Sequence, residues 1–333
     1  MKLAIIIRFM DMLSLTLSQM RLSSSMLARY DASAPWSVDI PDRMAITTYF
    51  VLTGECWFCP SGEMGAVHLR EGDMLMLPRW HEHKLCSSPE IPAVPFADVV
   101  KRAGIPLWDP AHPLVEAVVL NDRANSELPP DTQILTMMFK ANSGYQENLV
   151  NCLPPIFHLG AKDIEFTALI TVIRQFVASE IEARPSGYAA AGHRMAELIL
   201  IELLRTVVVK RPVGTSGWLN GLGSPSIAAA MTALHHDPQR RWTLEALARE
   251  AGLSRSQFSA QFSRLVGHSA MAYVEGVRIQ WATEAILRGM ALKEVSDALG
   301  YATSYGFHKA FVRQLGLSPG EWRKRYLQSG TKL

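Results

Sequence analysis

The sequence predicts an α+β, multidomain chain: a small antiparallel β-barrel or sandwich with a pair of helices attached, then an all-α domain holding two copies of one helix-turn-helix unit. Three observations predict it. Short β-rich or apolar runs between turn signals occupy the first part of the chain, helical spacing takes over from Asp163, and the C-terminal stretch carries one pattern twice. A chain of 333 residues is long for one core and suits two domains.

Residues 11–22 (DMLSLTLSQMRL) place Met12, Leu15, Met20 and Leu22 among polar residues and read as a weak amphipathic helix. The runs 44–52 (MAITTYFVL), 66–69 (AVHL), 74–77 (MLML) and 134–139 (ILTMMF) read as strands, separated by turn signals such as Thr53-Gly54, Ser61-Gly62 and Glu71-Gly72-Asp73. From Asp163 to Glu182, Ile164, Leu169, Ile173, Phe176, Val177 and Ile181 recur at helical spacing, and Arg184-Pro185-Ser186-Gly187 ends the helix. A second helix over 189–209 is apolar on most of its turns (ILIELLRTVVV), so the pair is expected to form a homodimer interface rather than only to pack within the chain. Residues 211–225, rich in Gly, Pro and Ser and without a period, read as the linker between a domain at 1–210 and one at 226–333.

In the last stretch, Leu244, Leu247, Gly252, Phe258, Phe262 and Gly267 recur as Leu292, Val295, Gly300, Phe307, Phe311 and Gly316. Each copy reads as a short helix, a glycine turn and a second helix with its buried stripe four residues apart. Thr243 and Ser254 are the expected caps of the first copy, and Thr303 caps the second helix of the other. With Phe258, Phe262 and Leu265 inward, Arg255, Ser256, Ser259, Ala260 and Ser263 must face outward. In the second copy Ser304, Tyr305, His308 and Lys309 face outward, with Arg313 a turn further on. Between the copies, 271–287 reads as one continuous helix of about 25 Å, with Tyr273, Val277, Trp281 and Ala285 on one side.

Charge divides the chain at the same place. Residues 1–210 hold 18 Lys and Arg against 23 Asp and Glu, net −5; residues 211–333 hold 15 against 8, net +7. A polyanion is the expected partner of the basic end, and two exposed helix faces on a stiff spacer suit successive major grooves of duplex DNA about 34 Å apart. Arg313 is placed for phosphate and the N-terminal outward residues for base edges. The four cysteines, Cys56, Cys59, Cys86 and Cys152, are too few for a disulfide scaffold and suit a reducing cytoplasm. The apolar run from Leu3 to Phe9 is too short to span a membrane, and neither an export signal nor an extended start is marked clearly there.

These residues carry a family resemblance. ALGYATSYGFHKAFVRQLGLSPGEWRKRY resembles the signature of the AraC/XylS transcriptional regulators, with Ala298, Gly300, Ser304, Phe307, Phe311, Gly316, Pro319, Trp322 and Arg323 in place. The resemblance covers about residues 226–327 and implies seven helices, promoter DNA as partner, and two successive major-groove contacts per protomer. Two positions depart from the pattern: Gly306 stands where larger residues are usual, and Ala260 replaces a long polar side chain in the first copy. Upstream, SAPWSVDIP (33–41), VLTGECWF (51–58) and LREGDMLMLPRWHEH (69–83) resemble the cupin-type sensor domain found in one branch of the same regulators, which implies a cupin-like β-barrel. Gly72, Pro78 and His83 match a cupin's second motif, while the strand TTYFVLTGECWF lacks the His and Glu of the first, so no metal and no cofactor are expected.

Trp36, Trp57 and Trp80, with His81 and His83 at a turn by the pocket mouth, are candidates for an effector pocket, against plain core packing of the aromatic rings. Cys56 and Cys59 form a CxxC, but residues three apart on a strand point to opposite faces, which opposes a shared disulfide or zinc. No nucleophile–base pair is evident, so the chain is not expected to be an enzyme. The expected function is a cytoplasmic, sequence-specific transcriptional regulator responsive to a small-molecule effector, meeting RNA polymerase if it activates. The rivals are a metal-dependent cupin enzyme fused to a DNA-binding domain, and a ligand-free regulator controlled by abundance or a protein partner.

Overall fold

The computed structural model describes residues 22–41, 46–62, 65–79, 82–105, 114–121, 129–141, 149–161, 167–210, 212 and 214–328. The chain forms two compact units, one spanning Met20–Val207 and the other Thr215–Leu333, with residues 208–214 divided between them. The helix expected over 11–22 falls outside the described residues, save Leu22, which begins a strand.

The N-terminal unit is a double sheet. Its elements are β1 (Leu22–Ala32), β2 (Ser37–Ile40), β3 (Ile46–Thr53), β4 (Glu55–Pro60), β5 (Val67–Arg70), β6 (Met74–Leu77), β7 (His83–Cys86), β8 (Val94–Pro95), helix α1 (Phe96–Arg102), β9 (Leu114–Val119), β10 (Thr132–Ala141) and β11 (Phe157–Leu159). One sheet runs β11-β6-β3-β10-β1-β9 and the other β5-β4-β7-β2-β8. Pairing is antiparallel except for β1 with β9 and β2 with β8, a departure from the wholly antiparallel expectation.

Apolar side chains from both sheets meet between them: Tyr30, Tyr49, Val51, Phe58, Leu69, Leu75, Leu85 and Ile134 belong to one buried cluster. The run TTYFVLTGECWF breaks at Gly54, within the expected Thr53-Gly54 turn. There the chain leaves the first sheet for the second at φ 75°, and a Cβ would overlap the Asp131 carbonyl oxygen, so only glycine makes this corner.

Helix α2 (Thr167–Phe176) winds on through a π-helical turn, Val177–Glu182, and α3 runs Tyr188–Lys210. Ile173, Val177 and Ile181 are buried at the expected four-residue spacing. On α3 the buried line is Gly192, Ala196, Ile199, Leu200, Leu203, Leu204 and Val207. A Cβ on Gly192 would strike Val115 of β9 and lie close to Leu27 of β1, so α3 lies directly on the six-stranded sheet. Much of its apolar surface is therefore spent inside the protomer, leaving Leu198 and Val209 exposed.

The C-terminal unit is all helical. Residues 211–225, read as linker, contain α4 (Gly217–Leu222), which buries Trp218 and Leu219 and packs on a helix some 40 residues downstream. So short a helix depends on that tertiary burial, which no local period reveals. Seven helices follow among the described residues: α5 (Pro225–His236), α6 (Leu244–Glu250), α7 (Arg255–Val266), α8 (Ala270–Leu287), α9 (Leu292–Ala298), α10 (Ser304–Leu315) and α11 (Pro319–Gln328). The spacer α8 is buried on more than the one side expected, through Val274, Val277, Ile279, Ala282, Ala285 and Ile286, because helices of both copies pack on it.

Candidate nucleic-acid interface

Both outward-facing helices are built by the same local devices. In the first copy Thr243 Oγ1 accepts from the Ala246 N–H at 3.2 Å, and the turn after α6 passes through Gly252 at φ 65°. Ser254 and Gln257 form a reciprocal cap at the start of α7: the Ser254 hydroxyl accepts from the Gln257 N–H, and the Gln257 side chain accepts from the Ser254 N–H. In the second copy Gly300 turns at φ 67° and Thr303 Oγ1 accepts from the Gly306 N–H at 3.0 Å. Left-handed Gly267 and Gly316 end α7 and α10.

Paired phenylalanines anchor each helix. Phe258 and Phe262 lie with ring centroids 5.5 Å apart, Phe307 and Phe311 5.7 Å apart, and all four are buried. Leu265 is only half-buried and Val266 takes the inner position expected of it, while Leu292 is exposed and Leu299 fills the second copy's core instead.

With the anchors inward, Arg255, Ser256, Ala260 and Ser263 are exposed on α7 and Ser259 is half-buried. On α10, Ser304, Tyr305, His308, Lys309 and Arg313 are exposed. Their charges are not equally available. Arg255 Nε lies 3.0 Å from Glu245, whose carboxyl is held below its usual range by backbone N–H donation at the start of α6, by Thr243 and by Arg255 itself. Arg313 donates to Glu275 on α8, which raises its guanidinium pKa further. Lys309 has no ion-pair partner among the described residues.

Gln257 and Arg264 are exposed on α7 and were missed by sequence reasoning; Gln257 is occupied by its cap. Gly306 borders a cleft of about 440 Å³ between α8 and α10, which Arg278, Tyr301 and Lys309 also line, so the unusual glycine leaves space where a side chain would stand. The Arg278 guanidinium lies 5.4 Å from the centre of the Tyr301 ring.

Among the described residues, Trp36 and His83 face the interior between the sheets and Trp57 does not. Trp36 is buried in the core cluster, and His83 Nε2 is 2.8 Å from the Tyr49 hydroxyl with Phe58 against its ring. Trp57 is half-buried and points the other way, its ring stacked on His68 at 4.4 Å, so it cannot wall the same space as Trp36. Trp80 and His81 lie outside the described residues. No group of three or more His, Cys, Asp or Glu side chains could hold a metal among the described residues. No described helix is long and apolar enough to cross a membrane.

Comparison with known proteins agrees with this organisation. Residues 11–209 match a cupin family and residues 247–325 a helix-turn-helix domain family. A putative AraC-like transcription regulator of Streptomyces lividans is 30% identical over 317 residues, covering 94% of this chain and 97% of its own. The transcriptional regulator AlkR of Acinetobacter baylyi is 22% identical over 319 residues, 95% of this chain and all of its own. Among solved structures, ToxT from Vibrio cholerae aligns over 90% of this chain and 96% of its own at 11% identity, with a TM-score of 0.32. A β-rich cupin unit in front and a doubled helix-turn-helix behind, matched along almost the whole length of such relatives, place this chain in the AraC family of DNA-binding transcription regulators.

Proposed function

We propose that the chain reads promoter DNA through α7 and α10 together, with the exposed N-terminal halves of both helices in successive major grooves and α8 setting their spacing. The observation that supports this most is the doubled scaffold: a hydroxyl cap, glycine turns and phenylalanine anchors on each reader helix leave two polar helix faces exposed on the basic part of the chain. Ser304, Tyr305, His308 and Lys309 supply base-edge contacts in the second copy. Arg255, Ser256, Ser259, Ala260 and Ser263 supply a shorter surface in the first, which leans on groove shape and phosphate. Arg313 reaches phosphate after exchanging Glu275 for it. The domain at 1–210 senses a small molecule, and the interior around Tyr49 and His83 is the polar point at which such an effector would be recognised. The Thr47 and Thr136 hydroxyls, buried with no hydrogen-bond partner on the neighbouring strands β3 and β10, supply unused polar capacity.

On this reading the chain is cytoplasmic, does no catalysis, and acts as a homodimer joined partly through α3; an activating complex would also touch RNA polymerase. Fluorescence anisotropy of the full chain on duplex fragments from its own genomic surroundings, across a salt series, tests the DNA contacts. Saturable binding with a steep salt slope is expected. Binding that neither prefers any fragment over random duplex nor weakens with salt would overturn it. Thermal-shift screening of the full chain tests the sensor, since an effector that binds the native state raises the melting temperature.

A further inference from the structure

The cysteine pair that sequence spacing draws attention to is not the pair that meets. Cys56 faces the core between the sheets, while Cys59, two residues beyond Trp57 on the same strand face, points away from it. Antiparallel pairing sets Trp57 opposite Cys86 and Cys59 opposite Lys84, which places Cys59 and Cys86 as diagonal neighbours across β4 and β7. Their Sγ atoms are 3.8 Å apart, in contact, and both cysteines are free thiols. Cys59 is half-buried and reachable, whereas Cys86 is fully buried behind it.

We infer that Cys59 and Cys86 form a two-electron redox site that closes a reversible disulfide when a peroxide reaches the N-terminal unit. Cys59 is the attacking group. Its thiolate sulfur bonds to one peroxide oxygen, the O–O bond breaks, and the departing hydroxide takes a proton to become water, leaving Cys59 as a sulfenic acid. The Cys86 sulfur then attacks Cys59 Sγ. The S–O bond breaks, and the leaving hydroxide takes the Cys86 proton as a second water. Two thiols and one peroxide thus give one disulfide and two waters.

The division of roles follows from position. Burial, and then the neighbouring Cys59, push the Cys86 thiol up to about 12, so it is protonated at neutral pH and cannot begin the reaction. It can finish it, because its partner sulfur is already in contact. Closure shortens the Sγ–Sγ distance by about 1.8 Å, to a bond of about 2.0 Å. It does so between strands held on their other edges by β5 and β2. The half-exposed Cys59 sulfur leaves the bond open to attack by an external thiol, which makes the site reversible.

The test uses the full chain treated with a small excess of hydrogen peroxide, then denatured for thiol titration and peptide mapping. Four titratable thiols are expected to fall to two, with a Cys59–Cys86 cross-linked peptide, and to return to four on reduction with dithiothreitol. In C86S a dimedone adduct is expected on Cys59, the sulfenic acid having lost its resolving thiol. In C59S neither cross-link nor adduct is expected at residue 86, and that half-exposed substitution leaves the core untouched. A cross-link that joins other cysteines, or unchanged thiol loss in C59S, would overturn the assignment. So would four intact thiols after peroxide treatment of the wild-type chain.

Discussion

On α7 Arg255 stands among four small residues and the cap-bound Gln257, with Arg264 further along, whereas α10 presents Tyr305, 76% exposed, with His308 and Lys309 beside it. Yet both helices begin at a hydroxyl cap, end at a left-handed glycine and turn two phenylalanines inward. The positions that make the fold have thus been kept alike while the solvent face has diverged. Inward positions are constrained by packing in both copies, and outward ones only by what they touch. The second copy therefore carries the longer-reaching chemistry, and the first is suited to holding register on the duplex.

If the scaffold is truly shared, removing an anchor should cost the same on either side. Phe258→Ala and the matching Phe307→Ala each delete a buried ring and should each cost about 3–5 kcal/mol in urea unfolding of the full chain. A cost below about 1 kcal/mol at either site would show that the copies are not equivalent supports.

Beside the first copy, at the end of α5, sits a titrating group that is half-buried. His235 Nε2 lies 2.9 Å from the Tyr273 hydroxyl, and burial first, then His236, lower its pKa to about 4 from 6.5. A depressed histidine favours the folded state fully above the unfolded pKa, and that advantage is lost as pH falls from 6.5 towards 4. The loss should reach about 3 kcal/mol at most. Unfolding curves at pH 7 and pH 4.5 measure it. In His235→Gln, which keeps a polar group without the titration, the pH dependence should flatten. An unchanged acid dependence in the variant would assign it elsewhere.

DNA binding sharpens the contrast between the two faces. Lys309→Ala should weaken binding by about tenfold and relax the preference for the base it contacts. Arg313→Ala should do less, because its guanidinium is already satisfied by Glu275 and must give up that pair to reach phosphate. Glu275→Gln should correspondingly raise affinity two- to threefold, roughly half a kcal/mol, by releasing Arg313. Equal effects of Lys309 and Arg313 substitutions across the salt series would remove the distinction drawn between them.

What the sequence made legible was local. Gly252 and Gly300, the caps Thr243, Ser254 and Thr303, and the phenylalanine stripes are each recognisable within one turn or one helix, and the structure has them where the spacing put them. What escaped depends on distant partners. Arg313 meets Glu275 across 38 residues, and Cys59 meets Cys86 only through a strand register that composition does not encode. β1 was missed because LSSSMLARYDA lacks a clean alternation; it is central in its sheet, paired with β9 and β10. The tryptophan candidates rest on residue type, unlike His83, and residue type does not tell the inner face of β4 from the outer: Phe58 went in and Trp57 out.

A comparably small effect concerns the glycine that departs from the family pattern. Gly306 is the third residue of α10, with its N–H tied to Thr303, and a Cβ there would meet nothing nearer than Thr303 Oγ1 at 3.4 Å and Tyr301 Cδ1 at 3.9 Å. The first contact is tight but belongs to a side chain at the helix start, and the second is ordinary van der Waals distance. Alanine lowers the entropy cost of the helical backbone, so Gly306→Ala should stabilise the chain by about 0.5–1 kcal/mol without reaching the outward face. If it also leaves DNA affinity unchanged, the cleft beside Gly306 is unused space. A loss of affinity alongside a gain in stability would instead mean that α10 must flex at this turn to seat Tyr305 and Lys309, which would make mobility, and not only side-chain length, part of the difference between the two copies.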